Sequence, residues 1–214
     1  MTRRATARRV RSAATAALSR DQILDAAEDV LRRFGPAKAT VVDVARALAV
    51  SHGSVYRHFA SKVALRDAVA QRWLERLTAP LVIIAEGRGP ALPRLKRWLR
   101  RLVQIKRARL EEDPEIFATY GELFAASRAV VSDHVASLTR QLAGIIADGV
   151  ASGELVVTRP LSAARAVLIA TGRFHDPVHA ATWSGPGIDA AFGAVLAVVV
   201  RGLAAPARRP ARSR

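Results

Sequence analysis

Apolar residues recur at helical spacing along most of the chain. Ile23, Leu24, Ala27, Val30, Leu31 and Phe34 share one face of a first segment, which opens at Ser19 with Gln22 at the capping-box position and is expected to stop at Gly35 and Pro36. A short second segment begins at Thr40, whose hydroxyl can accept from an orphan backbone N–H while Asp43 sits near the positive end of the helix. Val41, Val44, Ala45 and Leu48 give it a buried face. Leu48, Ala49 and Val50 turn the chain, and Ser51 caps a third segment that carries Val55 and Phe59 inward. Its outward positions, His52, Gly53, Ser54, Tyr56, Arg57 and His58, are small or hydrogen-bonding groups that suit a helix lowered into a major groove. The pattern predicts two short capped helices around a tight turn, a helix-turn-helix.

Ser61 then opens a long helix through Leu65, Val69, Trp73 and Leu77, expected to be interrupted at Pro80 and ended by Gly87, Gly89 and Pro90. Leu92, Leu95, Leu99, Leu102 and Ile105 form the next stripe, and Arg94, Arg97, Arg100, Arg101, Lys106 and Arg107 opposite it read as a solvated face. A shorter helix is predicted from Pro114 to about Ser127, followed by helices over Val130 to Gly153, Leu161 to Ala181 and Ile188 to Leu203. Leu155, Val156 and Val157 are too isolated to make a sheet. The prediction is all-α: a helix-turn-helix domain over 19–66 and a larger helical domain over 67–204. In the last helix Ala190, Ala191, Gly193, Ala194, Ala197, Val198 and Gly202 leave small side chains, while Phe192, Leu196, Val199 and Val200 make a second apolar side. Such a helix must be covered by the rest of its own domain or by a second subunit.

Charge adds a separate feature. There are 34 Lys+Arg against 18 Asp+Glu, a net +16, and the excess is concentrated at the ends. Residues 1–20 hold six arginines and residues 201–214 hold five, with no acid in either stretch. These basic segments, an arm over 1–18 and a tail over 205–214, point to a polyanion as partner. Arg3, Arg4, Arg8, Arg9 and Arg11 directly precede the first helix, where they can follow a minor groove. The acid-free N-terminus also looks like a transit peptide, but it lacks the apolar core of a secretory signal. The longest apolar run, Ala190 to Val200, is well short of the ~20 residues a bilayer requires, so a cytoplasmic protein with no membrane partner is expected. With no cysteine, disulfides and thiolate metal sites are excluded.

The segment from Ser19 to Trp73 resembles the TetR/AcrR family of bacterial transcriptional regulators. The resemblance is carried by Thr40 to Ala45, by Val50 to Phe59, and by Lys62 and Leu65 opening the next helix. It implies a homodimeric repressor that binds a near-palindromic duplex operator and is released by a small-molecule effector held in the second domain. Under it, Thr40, Tyr56, His58 and Lys62 fall where the family grips phosphates, and His52, Gly53 and Ser54 where it meets bases. Ser51 and Arg57 complete the expected DNA-binding set. The resemblance also favours a subunit seam built from the final two helices of each copy. Ala49 departs from the pattern, because the family usually places glycine there. A strained or re-angled turn is therefore expected.

Candidate walls for an effector pocket are Trp98, Phe117, Tyr120, Phe124 and Phe174, aromatic groups on otherwise aliphatic helices, with His134 and His175 as polar handles. The competing role for each aromatic is ordinary core packing. His134, His175 and His179 are the candidates for a metal-responsive alternative of the same fold, although Pro177 breaks the simple four-residue spacing of the last two. No cofactor is implied. Neither a nucleophile elbow nor a phosphate-cradling glycine loop nor a zinc-binding His-Glu pair is present, which argues against an enzyme. An architectural DNA-binding protein would need charge but no presented reading helix.

Overall fold

The computed structural model describes residues 18–205, which divide into two compact units between Ala70 and Gln71. The basic arm and tail fall outside the described residues except for Leu18 and Ala205 at their edges. Among the described residues there is no strand. A single antiparallel bridge joins Leu155 to Ala204.

In the first unit, α1 (Arg20–Lys38) is opened by a reciprocal capping box: Ser19 Oγ accepts from the Gln22 N–H at 3.1 Å, and the Ser19 N–H donates to Gln22 Oε1 at 2.9 Å. Ile23, Leu24, Ala27, Val30 and Leu31 are buried, but Phe34, expected on the same face, is exposed. One residue on, Gly35 takes φ 71° and breaks the helical path, although a last turn runs on through Pro36 to Lys38. α2 (Val41–Ala47) carries a second reciprocal box between Thr40 and Asp43, and α3 (His52–Tyr56) is capped by Ser51, whose Oγ accepts from the Ser54 N–H at 3.2 Å. Arg20 spans the unit, with its guanidinium 4.2 Å from the Phe59 ring centroid and Nη1 donating to the His58 carbonyl.

α4 (Lys62–Glu86) starts in the first unit, where Ser61 Oγ accepts from the Ala64 N–H, and ends in the second. The expected interruption at Pro80 does not occur. Proline's fixed φ is itself helical, and the buried Leu77 and Leu81 anchor the turns on either side, which offsets the lost backbone bond.

The second unit comprises the rest of α4 with α5 (Ala91–Glu112), α6 (Pro114–Ala126), α7 (Arg128–Ala151), α8 (Pro160–Thr171) and α9 (Ile188–Leu203). Its core gathers Leu81, Leu95, Trp98, Leu99, Leu102, Leu142, Ile145 and Ile146, all fully buried. α5 lacks a side-chain cap of its own at Pro90; instead Glu154 Oε1 and Oε2 accept the Ala91 and Leu92 N–H groups at 2.9 and 3.2 Å. Those bonds hold the Glu154 carboxyl below the usual range. Here α5 and α7 meet closely: a Cβ added at Gly149 would lie 2.8 Å from Ala91 Cβ. The helix expected over Leu161 to Ala181 is shorter than the pattern suggested. α8 ends at Thr171, and two short 3₁₀ helices follow, Gly172–Phe174 and Pro177–Thr182, because Pro177 cannot continue the ladder and Asp176 caps the second.

Candidate DNA-reading surface and effector cavity

The turn between α2 and α3 is closed by two backbone bonds, Val50 N–H to Ala45 O at 3.0 Å and Ala49 N–H to Arg46 O at 3.1 Å. This pairing is the Schellman arrangement, which places a left-handed residue just after the helix. That residue is Ala49, at φ 53°, and no other described non-glycine residue has positive φ. The strain expected from an alanine in the glycine position is therefore present in the backbone, while the turn keeps its hydrogen bonds.

α3 is held from below and open above. Val55 and Phe59 are buried, while Ser51, His52, Gly53, Tyr56 and Arg57 are exposed and Ser54 and His58 half-buried. Ser54 Oγ lies 3.0 Å from Ser51 Oγ and accepts from Arg57 Nη2 at 3.1 Å, so three polar side chains one turn apart brace each other along the outer face. Tyr56, 44% exposed, stands edge-on to His52 with ring centroids 6.4 Å apart. Thr40 is exposed at the start of α2 and Lys62 at the start of α4. All nine residues expected at a DNA surface thus lie in the first unit, none of them buried.

In the second unit a cavity of about 880 Å³ opens to solvent between α5, α6, α7, α8 and the 3₁₀ segment. Phe124, Val131, Val135, Leu138 and Leu168 form apolar walls, and Lys106, Arg128, His134, Arg173, His175 and Asp176 supply polar groups. Of the residues expected there, Phe124, His134 and His175 line it. The others lie elsewhere. Trp98 is fully buried and its indole N–H donates to Gln141 Oε1 at 3.1 Å. Tyr120 stacks on Trp73 at 4.4 Å, Phe117 meets Trp183 edge-on at 6.1 Å, and Phe174 packs on Phe192 at 5.2 Å. A neighbouring, more polar cavity of about 410 Å³ shares His134 and Leu74 with the first.

The reading of α5's charges as one solvated face needs correction. Arg97, Arg100 and Arg101 are exposed, but Arg94 and Lys106 are buried and Arg107 nearly so. Arg94 donates to Asp148 Oδ2 at 2.9 Å and to the Ala85 carbonyl, and Arg107 pairs with Asp189. Among the described residues Lys106 has no such partner, and burial pushes its ammonium from 10.5 down to about 8 against the opposing pull of Asp176. Burial, with the nearby Lys106 charge, brings both His134 and His175 down to about 4. Thr171 Oγ1 donates to the Val167 carbonyl at 2.8 Å, so the His175 Nε2–H donates to Thr171 Oγ1 at 3.2 Å. His134 Nε2 is buried without a hydrogen-bond partner among the described residues. Among the described residues no three of His, Cys, Asp and Glu stand together as a metal site, and His175 and His179 lie in different turns. Lys106 escaped sequence reasoning because its charge masked its burial; a lysine directly after the core residue Ile105 was the available signal.

Comparison with known proteins agrees with this architecture. Residues 23–69 match the family described as bacterial regulatory proteins, tetR family, and residues 91–196 match a tetracyclin repressor-like C-terminal domain. The HTH-type transcriptional repressor Rv1474c of Mycobacterium tuberculosis is 32% identical over 127 residues, 56% of this chain and 65% of that protein. The chain thus spans just under two thirds of that relative. A TetR-family regulator from Mesorhizobium loti superposes with TM-score 0.62 at 15% identity, over 86% of this chain and 96% of its own. Bacillus subtilis FadR, solved in complex with stearoyl-CoA, gives TM-score 0.56 at 17% identity over 86% and 99%. At such identities the solved structures bear on fold alone. One matched region lies in each unit, and the chain belongs to the TetR family of bacterial transcriptional regulators.

Proposed function

We propose that this chain is a homodimeric transcriptional repressor that binds a near-palindromic duplex operator in the cytoplasm and leaves it when a small molecule enters the cavity of the second unit. Residues 19–66 form the DNA-binding part and residues 67–204 the regulatory part. The observation that carries the reading is α3: one face is fixed in a small core by Val55 and Phe59, and the opposite face offers Ser51, His52, Gly53 and Arg57 to solvent. A rigid short helix with an exposed hydrogen-bonding face is what base-edge recognition needs, because the cost of ordering it has been met before DNA arrives. Thr40, Tyr56, His58 and Lys62 flank that face and act on phosphates; His52, Gly53 and Ser54 meet bases. Seen in one copy, α8 and α9 expose the apolar side chains of Leu161 and Val198, which a second subunit would cover. The effector role rests on the 880 Å³ cavity, within the size range of small-molecule sites.

Footprinting on genomic fragments tests the function: a short, twofold-symmetric protected site is expected, and uniform protection or none overturns it. Tyr56→Ala or Lys62→Ala is expected to weaken binding to every sequence, and His52→Ala or Ser54→Ala to change the ranking of operator variants. A Tyr56→Ala protein that altered only the ranking would refute the assignment of roles.

A further inference from the structure

Burying a cation among apolar side chains is unfavourable unless a partner compensates it. α5 turns three cations inward, and the two arginines each have a carboxylate partner, Arg94 in Asp148 with the Ala85 carbonyl and Arg107 in Asp189, although Arg94 Nε and Arg107 Nε and Nη2 stay buried without a hydrogen bond among the described residues. Lys106 is buried, lines the large cavity, and among the described residues makes no hydrogen bond or ion pair. Asp176 attracts it, but one oxygen of that carboxylate already accepts the Val178 N–H at 3.1 Å. His134, on α7, is near enough to feel the Lys106 charge and keeps Nε2 buried with no partner. At neutral pH this imidazole is uncharged and can present an N–H. His175 differs, because Thr171 satisfies its ring N–H.

Among the residues lining the cavity, the donors without an acceptor among the described residues are therefore the Lys106 ammonium and the buried His134 ring nitrogen. What completes such a pair is an anion. One positive charge beside one neutral donor matches a monoanion with two oxygens. At pH 7 the lining carries the charges of Lys106, Arg128 and Arg173 against Asp176, which disfavours a cationic occupant. The lining also offers hydrocarbon, from Phe124, Val131 and Leu138. We propose that the cavity takes an amphipathic carboxylate, its head on Lys106 Nζ beside His134 and its hydrocarbon body against Phe124, Val131 and Leu138. This rests on the reading of the cavity as the effector site.

Titration calorimetry on the full-length protein at pH 7 with decanoate, 1-decanol and decyltrimethylammonium tests it. Charge-assisted hydrogen bonds are about twice as strong as neutral ones, so decanoate is expected to bind about tenfold or more tightly than decanol, with the cation weakest. Lys106→Met should erase the preference for decanoate while leaving decanol affinity in place. His134→Leu should weaken decanoate selectively, and it serves as the second test should the lysine variant fail to fold. Decanol binding as tightly as decanoate, or a preference that survives Lys106→Met, overturns the carboxylate and leaves the effector cavity standing. Failure of all three probes to bind overturns both.

Discussion

Replacing Lys106 by methionine is expected to make the protein more stable, which is the reverse of the usual result for a buried residue. Methionine keeps the unbranched stem and fills the same space without the charge. The ammonium is pushed from 10.5 to about 8 by burial, and at about 1.4 kcal/mol per pKa unit this corresponds to a native-state penalty of about 3 kcal/mol. The sign follows from proton counting. Between pH 8 and 10.5 the unfolded chain holds a proton on this lysine that the native protein has released, so wild-type stability gains with pH from this group across that window. Below pH 8 the penalty is complete, and above 10.5 it is gone. Urea unfolding of wild type and Lys106→Met at matched protein concentration, from pH 7 to 10.5, isolates the effect, because the other ionising groups are common to both. The variant should lead by up to about 3 kcal/mol at pH 7, with the gap narrowing steadily above pH 8. A gap that stays constant with pH, or a variant less stable at pH 7, would show that Lys106 is compensated in the folded protein.

Gly149→Ala brings a methyl group 2.6 Å from Leu155 Cδ1 and 2.8 Å from Ala91 Cβ; the leucine can yield but the Ala91 Cβ moves only with α5. A loss of about 1–3 kcal/mol in urea unfolding is expected, and an unchanged midpoint would mean that α5 and α7 are not in tight register. Val198→Glu places a charge on the exposed apolar side of α9, where Val198 is 60% accessible in the single chain. Light scattering at micromolar concentration should give a monomer mass with helical content retained, and a dimer mass would remove α9 from the subunit seam.

The first unit was nearly complete in the sequence, and for a physical reason: its helices are short, so caps and turns dominate their limits. Ser19 with Gln22, Thr40 with Asp43 and Ser51 with Ser54 each act within three residues, and local chemistry of that kind is readable without the fold. The strained turn at Ala49, by contrast, was legible only through the resemblance, which usually places glycine there. Phe34 shows the limit: its helical phase was right, but phase does not say how far along a helix the core reaches, and Phe34 lies beyond it. In the second unit the decisive interactions are distant along the chain. Glu154 caps a helix that starts at Ala91, Asp148 meets Arg94, and Gln141 takes the Trp98 indole N–H, none of which leaves a periodic trace. Aromatic content was a poor guide to the cavity because large rings fill core volume as readily as they line a site. Only Phe124 among the five did the latter.

The same proton that burdens the native state provides a further check on what the cavity binds. A carboxylate needs Lys106 charged, and in the unliganded protein that charge is lost as pH rises through about 8. Decanoate affinity should therefore be full at pH 6.5 to 7.5 and fall about tenfold for each pH unit well above 8, whereas decanol affinity should stay level. His134 does not confuse the window, since burial and the Lys106 charge keep its titration near 4. Binding would also raise the lysine's pKa towards its ordinary value, so a net uptake of protons by the complex is expected near pH 8.5, measurable as a buffer-dependent heat. Equal pH profiles for decanoate and decanol, or a buffer-independent heat at pH 8.5, would show that the ligand's charge never meets Lys106.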